Sequence, residues 1–223
     1  SGIAPTSSDG SLTVVLLEPR ASQEFSAPEE PVQMDQLGME FLPPVLLATV
    51  GQPVHFHNGE DILHNVRVYN IDTKETAFNI STPIGGTYEH HFDTAGTYRV
   101  ACDIHPQMGA SVVVSATPYA TVAERSGRFT LDNITPGQYM ATIHAGPERS
   151  QRSVTIAADT TDLDLTENKK GQLAKEFQLA NAVGADGVSG TSSSGIGCAA
   201  NIFCKRENPI PPSFVARDAR ALS

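Results

Sequence analysis

The chain has 223 residues, with 25 Asp and Glu against 15 Lys and Arg and a net charge of −10. That length buries a full core without covalent staples, and the acidic balance excludes a basic nucleic-acid-binding face or a polybasic membrane anchor. Three cysteines allow at most one disulfide with one thiol left over, and 18 Gly with 15 Pro favour short strands and turns over long helices.

No apolar run is long enough to span a bilayer as a helix. The opening at Ser1, without a basic or apolar leader, sets the expectation of a mature product whose signal segment has been removed. In chain order, Ser11–Glu18 (SLTVVLLE) is a β-branched apolar run and predicts a buried strand. Val45–Val50, the turn Gly51-Gln52-Pro53 and Val54–Asn58 read as strand, turn, strand; Val54 and Phe56 alternate with His55 and His57, so one face is apolar and the other polar. Asn65–Tyr69 alternates again. Tyr88–Phe92, the turn Asp93–Gly96 and Thr97–Cys102 form another strand-turn-strand unit, and Ser111–Ser115 closes the series. Strands at such short spacing predict a β-sandwich or barrel.

Gly127–Leu131, Gln138–His144 and Ser153–Ala157 continue the pattern, with a turn at Thr135-Pro136-Gly137. About fifty residues is small for a free-standing sandwich, so this part is expected to pack on the first, with the N-terminal strand completing its sheet. Beyond it, Lys169–Ala182 has the spacing of a short amphipathic helix, Gly184–Gly197 reads as linker, and Pro209–Pro212 favours extended chain. The predicted organisation is 1–115, a first β-sandwich with an N-terminal extension; 116–165, a small β-domain; and 166–223, an irregular tail suited to assembly. Charge separates the parts: residues 1–115 carry 14 acids and 4 bases, the remainder 11 of each.

The chemistry concentrates in Cys102-Asp103-Ile104-His105-Pro106-Gln107-Met108, where a thiol, an imidazole and a thioether recur every third residue just past a strand end. His64 adds a second imidazole after an earlier strand. Two His, one Cys and a weak Met is the ligand set of a type 1 copper site, in which soft sulfur suits Cu(I) and imidazole also serves Cu(II). Pro106 stiffens the loop, and Asn65 is placed to tie it to His64 through its side-chain amide. Zn or Cu(I) are rival occupants of the same ligands, and Glu60, four residues before His64, is a rival carboxylate ligand.

Phe41-Leu42-Pro43, Gly51-x-Pro-Val-x-Phe-x-Asn58, His64-Asn65-Val66, Phe92-x-x-x-Gly96-Thr-Tyr98 and Cys102–Met108 together resemble the cupredoxins of the plastocyanin–amicyanin group. Pro118-Tyr119, Gly127-x-Phe129 and Pro136-Gly137-x-Tyr139 are similar to the carboxypeptidase-regulatory-like, transthyretin-like sandwich joined to the copper domain in some bacterial proteins. The resemblance spans about residues 30–165. It implies an all-β protein, with a cupredoxin Greek-key β-sandwich, a small transthyretin-like β-sandwich and an irregular C-terminal tail. It also implies one type 1 copper on His64, Cys102 and His105, with Met108 axial and His105 as the electron port.

The expected function is electron transfer in the periplasm or outside the cell, with a cytochrome or dehydrogenase as partner and the acidic copper half steering towards a basic surface. No catalytic residue is expected: no Ser/His/Asp order stands out, and no Gly-rich loop precedes a helix. Copper delivery or tolerance is the alternative, and anchoring in a larger complex through the tail a third. His55, His57 and His91 fall on one outer strand face, read as a solvated polar face with a second metal site as the rival. Met34 and Met39 read as core packing, His144 as packed or solvated, and Asp103 as solvent-facing or tuning the site. Cys198 and Cys204 are the expected disulfide, which implies an oxidising compartment.

Overall fold

The computed structural model describes residues 1–160 and 162–166. The expected helix over Lys169–Ala182, the Gly184–Gly197 linker, the Pro209–Pro212 segment and the Cys198–Cys204 disulfide lie outside these residues. The described residues form strands and no helix. The first eight are β1 (Gly2–Ile3), β2 (Thr13–Pro19), β3 (Val32–Leu37), β4 (Glu40–Leu42), β5 (Val45–Thr49), β6 (Pro53–Asn58), β7 (His64–Asn70) and β8 (Thr76–Thr82). They are followed by β9 (Thr87–His91), β10 (Gly96–Ala101), β11 (Gly109–Ser115), β12 (Ala120–Val122), β13 (Arg128–Phe129), β14 (Gly137–Ala145), β15 (Glu148–Ile156) and β16 (Leu163–Asp164).

Two sheets, β4-β3-β6-β9 and β5-β11-β10-β7-β8, make the first sandwich. Their inner faces meet in a core that includes Met34, Phe41, Val54, Phe56, Val68, Phe92, Val100 and Val112. The period-two pattern of β6 is realised: Val54, Phe56 and Asn58 are buried, while Pro53, His55 and His57 are partly exposed. At the turn before it, Gly51 has φ +80°, a left-handed conformation that suits glycine.

The second β-unit consists of β12-β2-β14-β15 and the small sheet β13-β1-β16. The N-terminal strand does complete its sheet: β2 lies between β12 and β14, with Leu17 opposite Ala141. Tyr119, Phe129 and Tyr139 meet in this unit's core, and the Tyr139 hydroxyl donates to the Thr135 carbonyl at 2.7 Å.

A third apolar cluster joins the two. Val14 and Leu16 of β2 and Val113 of β11 are buried together, with Val45, Leu47, Ala120 and Val122 packed around them. This explains two apolar runs that do not alternate. In β2, Val15 and Leu17 face the second core while Val14 and Leu16 face the first sandwich. In β11, Val112 and Val114 face the first core while Val113 faces β2. A strand covered on both sides needs apolar residues at every position. Asp72 and Arg149 pair at 2.9 Å across the same junction, and His144 Nδ1 lies 3.3 Å from Thr97 Oγ1.

Candidate metal centre

Strand pairing brings the predicted residues together. β10 runs antiparallel to β11 and to β7, with Ala101 opposite both Gly109 and Arg67. Cys102, just past β10, Met108, just before β11, and His64, at the start of β7, therefore lie at one end of the sandwich. The loop is closed by two backbone hydrogen bonds, Met108 N–H to the His105 carbonyl at 3.0 Å and Cys102 N–H to the Met108 carbonyl at 3.4 Å. Asn65 performs the predicted bridging. Its Oδ1 accepts from the Asp103 amide at 2.6 Å and the Ile104 amide at 3.3 Å, fastening the loop to β7.

The three donor atoms converge. His64 Nδ1 and His105 Nδ1 are 3.0 Å apart, and Cys102 Sγ lies 3.9 Å from the first and 3.7 Å from the second. His64 is fully buried and Cys102 is 3 % exposed, whereas His105 is half-buried. Met108 is buried beside them in the core.

Glu60, the rival carboxylate of the sequence reading, has a different role. It does not join the donor cluster. Its carboxylate accepts from the other nitrogen of His64, Nε2, at 2.6 Å, and takes the Gly38 amide at 2.9 Å and the Met39 amide at 3.2 Å. Burial works against its charge, but the hydrogen bonds from His64, Met39 and Gly38 outweigh this and hold its carboxyl below the usual value. With Nε2–H committed to Glu60, a neutral His64 ring carries its lone pair on Nδ1, facing the cluster.

That arrangement is a fit test for a metal. Two imidazole nitrogens and a sulfur meet in a largely buried space, and the nitrogens stand within 3.0 Å of each other. A cation fits among these three atoms with the His64 Nδ1 lone pair turned towards it, and an N, N, S set is one that copper takes readily. Glu60 supplies the carboxylate–histidine support usual behind metal-binding imidazoles.

Asp103, expected to face solvent or tune the site, is exposed and is also held by neighbours. Its Oδ2 accepts from Asn79 Nδ2 at 3.0 Å and Asn65 Nδ2 at 3.3 Å, and Arg67 Nε approaches Oδ1 at 2.9 Å. Beneath the site, Thr82 Oγ1 donates to Gln36 Oε1 at 2.6 Å, and Gln36 Nε2 donates to the Asn65 carbonyl at 3.3 Å, joining the two sheets. Neither Asn79 nor the Gln36–Thr82 pair was singled out from sequence. A polar residue at the inward position of β3, in step with Val32 and Met34, was the available signal. Of the methionines, Met34 is core, while Met39 is partly exposed with φ 59° and its amide on Glu60. Leu37, Ile62, Leu63, Ile84 and Ile104, all substantially exposed, belong to the strand ends and loops of this end of the sandwich.

A nine-stranded sandwich with two imidazoles and a thiol converging at one end defines a metal-binding β-domain. Residues 29–115 match the family model for copper binding proteins, plastocyanin/azurin family. No curated protein matches the chain.

Among solved structures, amicyanin from Paracoccus versutus is 24% identical, with 44% of this chain and 96% of that one covered and a TM-score of 0.35. A purple cupredoxin from Nitrosopumilus maritimus is 25% identical, with 38% and 99% covered and a TM-score of 0.34. A copper-containing nitrite reductase from Thermus scotoductus is 28% identical, with 44% of this chain but 25% of that one covered and a TM-score of 0.36.

Proposed function

We propose that the chain is a type 1 copper electron-transfer protein, in which His64 Nδ1, Cys102 Sγ and His105 Nδ1 would hold the copper and Met108 would be a weaker fourth ligand. The observation that carries this is the meeting of three soft and borderline donors while the outer nitrogen of His64 is held by Glu60. Bound copper supplies a one-electron Cu(I)/Cu(II) couple.

The chain's own residues supply the rest. Asn65 fixes the ligand loop, Glu60 fixes the His64 ring, and the core around Cys102 and Met108 excludes water. His105, half-buried, is the ligand through which electrons enter and leave. The apolar side chains Leu63, Ile84 and Ile104 favour docking of a redox protein, a cytochrome or dehydrogenase, at this end. The protein acts in this reading as a carrier and not an enzyme, in the periplasm or outside the cell. The second β-unit is of the carboxypeptidase-regulatory-like type, a reading supported by the meeting of Tyr119, Phe129 and Tyr139 in its core.

The test is optical. The oxidised copper-loaded chain is expected to show an intense thiolate-to-copper band in the visible and the narrow parallel hyperfine splitting of type 1 copper in its EPR spectrum. Cys102→Ser removes both while the fold survives. A copper-loaded chain without the visible band sinks the proposal.

A further inference from the structure

On the outer face of sheet β4-β3-β6-β9, His55 and His91 each meet Glu89, at 2.8 and 3.3 Å, and His57 meets Thr87. These are separate contacts: among the described residues, only His64, Cys102 and His105 bring three such donor atoms together. The opposite side of the first sandwich holds a different constellation. There the second β-unit partly covers the outer face of sheet β5-β11-β10-β7-β8, and beside the buried contact of Val14 with Val113 the two leave a cleft of about 550 Å³. Sites for small organic ligands measure about 300–1,000 Å³.

The charge of this cleft is opposite to that of the chain. The protein carries −10, and residues 1–115 hold 4 bases, yet three arginines line the cleft. Arg99 comes from β10, Arg125 from the turn between β12 and β13, and Arg149 from β15, so both β-units contribute. The Arg99 head group rests on the start of β11, where a Cβ on Gly109 would collide with its Nη2. Among the described residues it has no hydrogen-bond or carboxylate partner. Arg125 Nη1 makes one long contact, 3.5 Å, with the Gly10 carbonyl. Arg149 uses Nη1 alone on Asp72, at 2.9 and 3.0 Å, which leaves Nη2 and Nε for another acceptor. The acid in the lining, Asp9, is already engaged by the Ser7 hydroxyl and the Ser11 amide.

Part of the remaining wall is apolar. Leu12, Val45 and Ile71 are partly buried there, next to Val14 and Val113. Burial first and the Arg149 charge second lower the pKa of His144, another lining residue, so that guanidinium acts on the cleft. A guanidinium is planar, permanently charged and matched to oxyanions. Three of them around one cleft, with little carboxylate to neutralise them, stabilise an anion. The apolar wall favours an organic body over a bare inorganic ion.

We propose that this cleft binds a small organic dianion of the phosphate-monoester type, with its anionic group on Arg99, Arg125 and Arg149 and its apolar body against Leu12, Val45 and Ile71. The site lies on the outside of the sheet whose inner side packs Cys102 and Met108, so it fills without entering the metal centre.

The experiment is a calorimetric titration of the full chain with phenyl phosphate at fixed ionic strength, with inorganic phosphate and uncharged phenol as separate probes. Phenyl phosphate is expected to bind once per chain, inorganic phosphate more weakly, and phenol not at all. Arg99→Gln and Arg125→Gln are each expected to weaken binding by about tenfold. Arg20→Gln removes the same charge at the far end of β2, where Arg20 donates to Ser153, and is expected to bind as the parent chain does. Arg99 and Arg125 are exposed, and an unchanged urea midpoint verifies the fold of each variant. No uptake of phenyl phosphate at millimolar concentration overturns the proposal. So does unchanged affinity in either Arg99→Gln or Arg125→Gln, an equal loss in Arg20→Gln, or either control probe binding as tightly as phenyl phosphate.

Discussion

Glu60 accepts a hydrogen bond from His64 Nε2 at 2.6 Å while also capping the Gly38 and Met39 amides. One carboxylate therefore orients the buried His64 ring and anchors the turn between β3 and β4. Glu60→Gln keeps an acceptor near His64 and removes the charge. Loss of such a support costs about 10–100-fold in metal affinity. Copper affinity, measured by competition with a chelator, is expected to fall by about tenfold for Glu60→Gln and further for Glu60→Ala. Equal affinity in all three chains contradicts the role.

Asn65 and Asp103 are in contact yet should differ in worth. Asn65 is 7% exposed and satisfies the Asp103 and Ile104 amides. Asn65→Ala leaves these groups without their acceptor, at about 1–3 kcal/mol. The Asp103–Arg67 pair is 45% and 43% exposed, so solvent screens it and its loss costs about 0–1 kcal/mol. Urea unfolding of the metal-free chain is expected to rank Asn65→Ala well below Asp103→Asn in stability. The reverse order would show that the charge pair, not the amide bridge, holds the loop.

The convergence of His64, Cys102 and His105 was legible because Cys102 and His105 share one short loop and His64 begins a strand with clear alternation. The outer role of Glu60 was not, since sequence proximity to a ligand does not tell which ring nitrogen a carboxylate faces. Strands with regular alternation or unbroken apolar runs, such as β6, β2 and β11, were found to within a few residues. β3 and β8 were missed for different reasons. In β3 the inward series Val32, Met34, Gln36 ends on a polar residue, and in β8 Phe78 and Ile80 are only partly buried on an edge strand. That β2 completes the second β-unit's sheet was expected from that unit's small size, while its register, with Leu17 opposite Ala141, follows only from long-range pairing.

The Gln36–Thr82 pair that spoiled the β3 pattern offers a double-mutant test. Gln36 is fully buried and Thr82 is 1% exposed. Thr82→Val preserves shape but removes the donor to Gln36 Oε1, and is expected to cost about 1–3 kcal/mol of stability. Replacing both partners, as Gln36→Met with Thr82→Val, removes the unsatisfied oxygen and should cost less than the sum of the single changes. Strict additivity in urea unfolding would rule out coupling between the sheets through this pair.

His144 should make the fold sensitive to acid. Burial first, and then the Arg149 charge, hold its pKa below the ordinary 6.5, with Asp72 opposing. His90, packed among Phe78, Tyr88 and Phe92, is lowered in the same way, by burial first, with Asp93 opposing and His91 assisting. The unfolded chain then binds more protons than the folded one between their folded values and 6.5, so stability rises with pH across that window and is lost as pH falls below it. His91 acts oppositely: the Gly51 carbonyl and Glu89 raise its pKa, and the stability it contributes is lost as pH rises through its folded value. His144→Gln preserves a polar group near Thr97 but cannot titrate. The urea midpoint of the metal-free chain is expected to drop between about pH 7.5 and about pH 5.5, and to drop less in His144→Gln. An identical drop in both chains would show that protonation at the junction of the two β-units has no part in acid sensitivity.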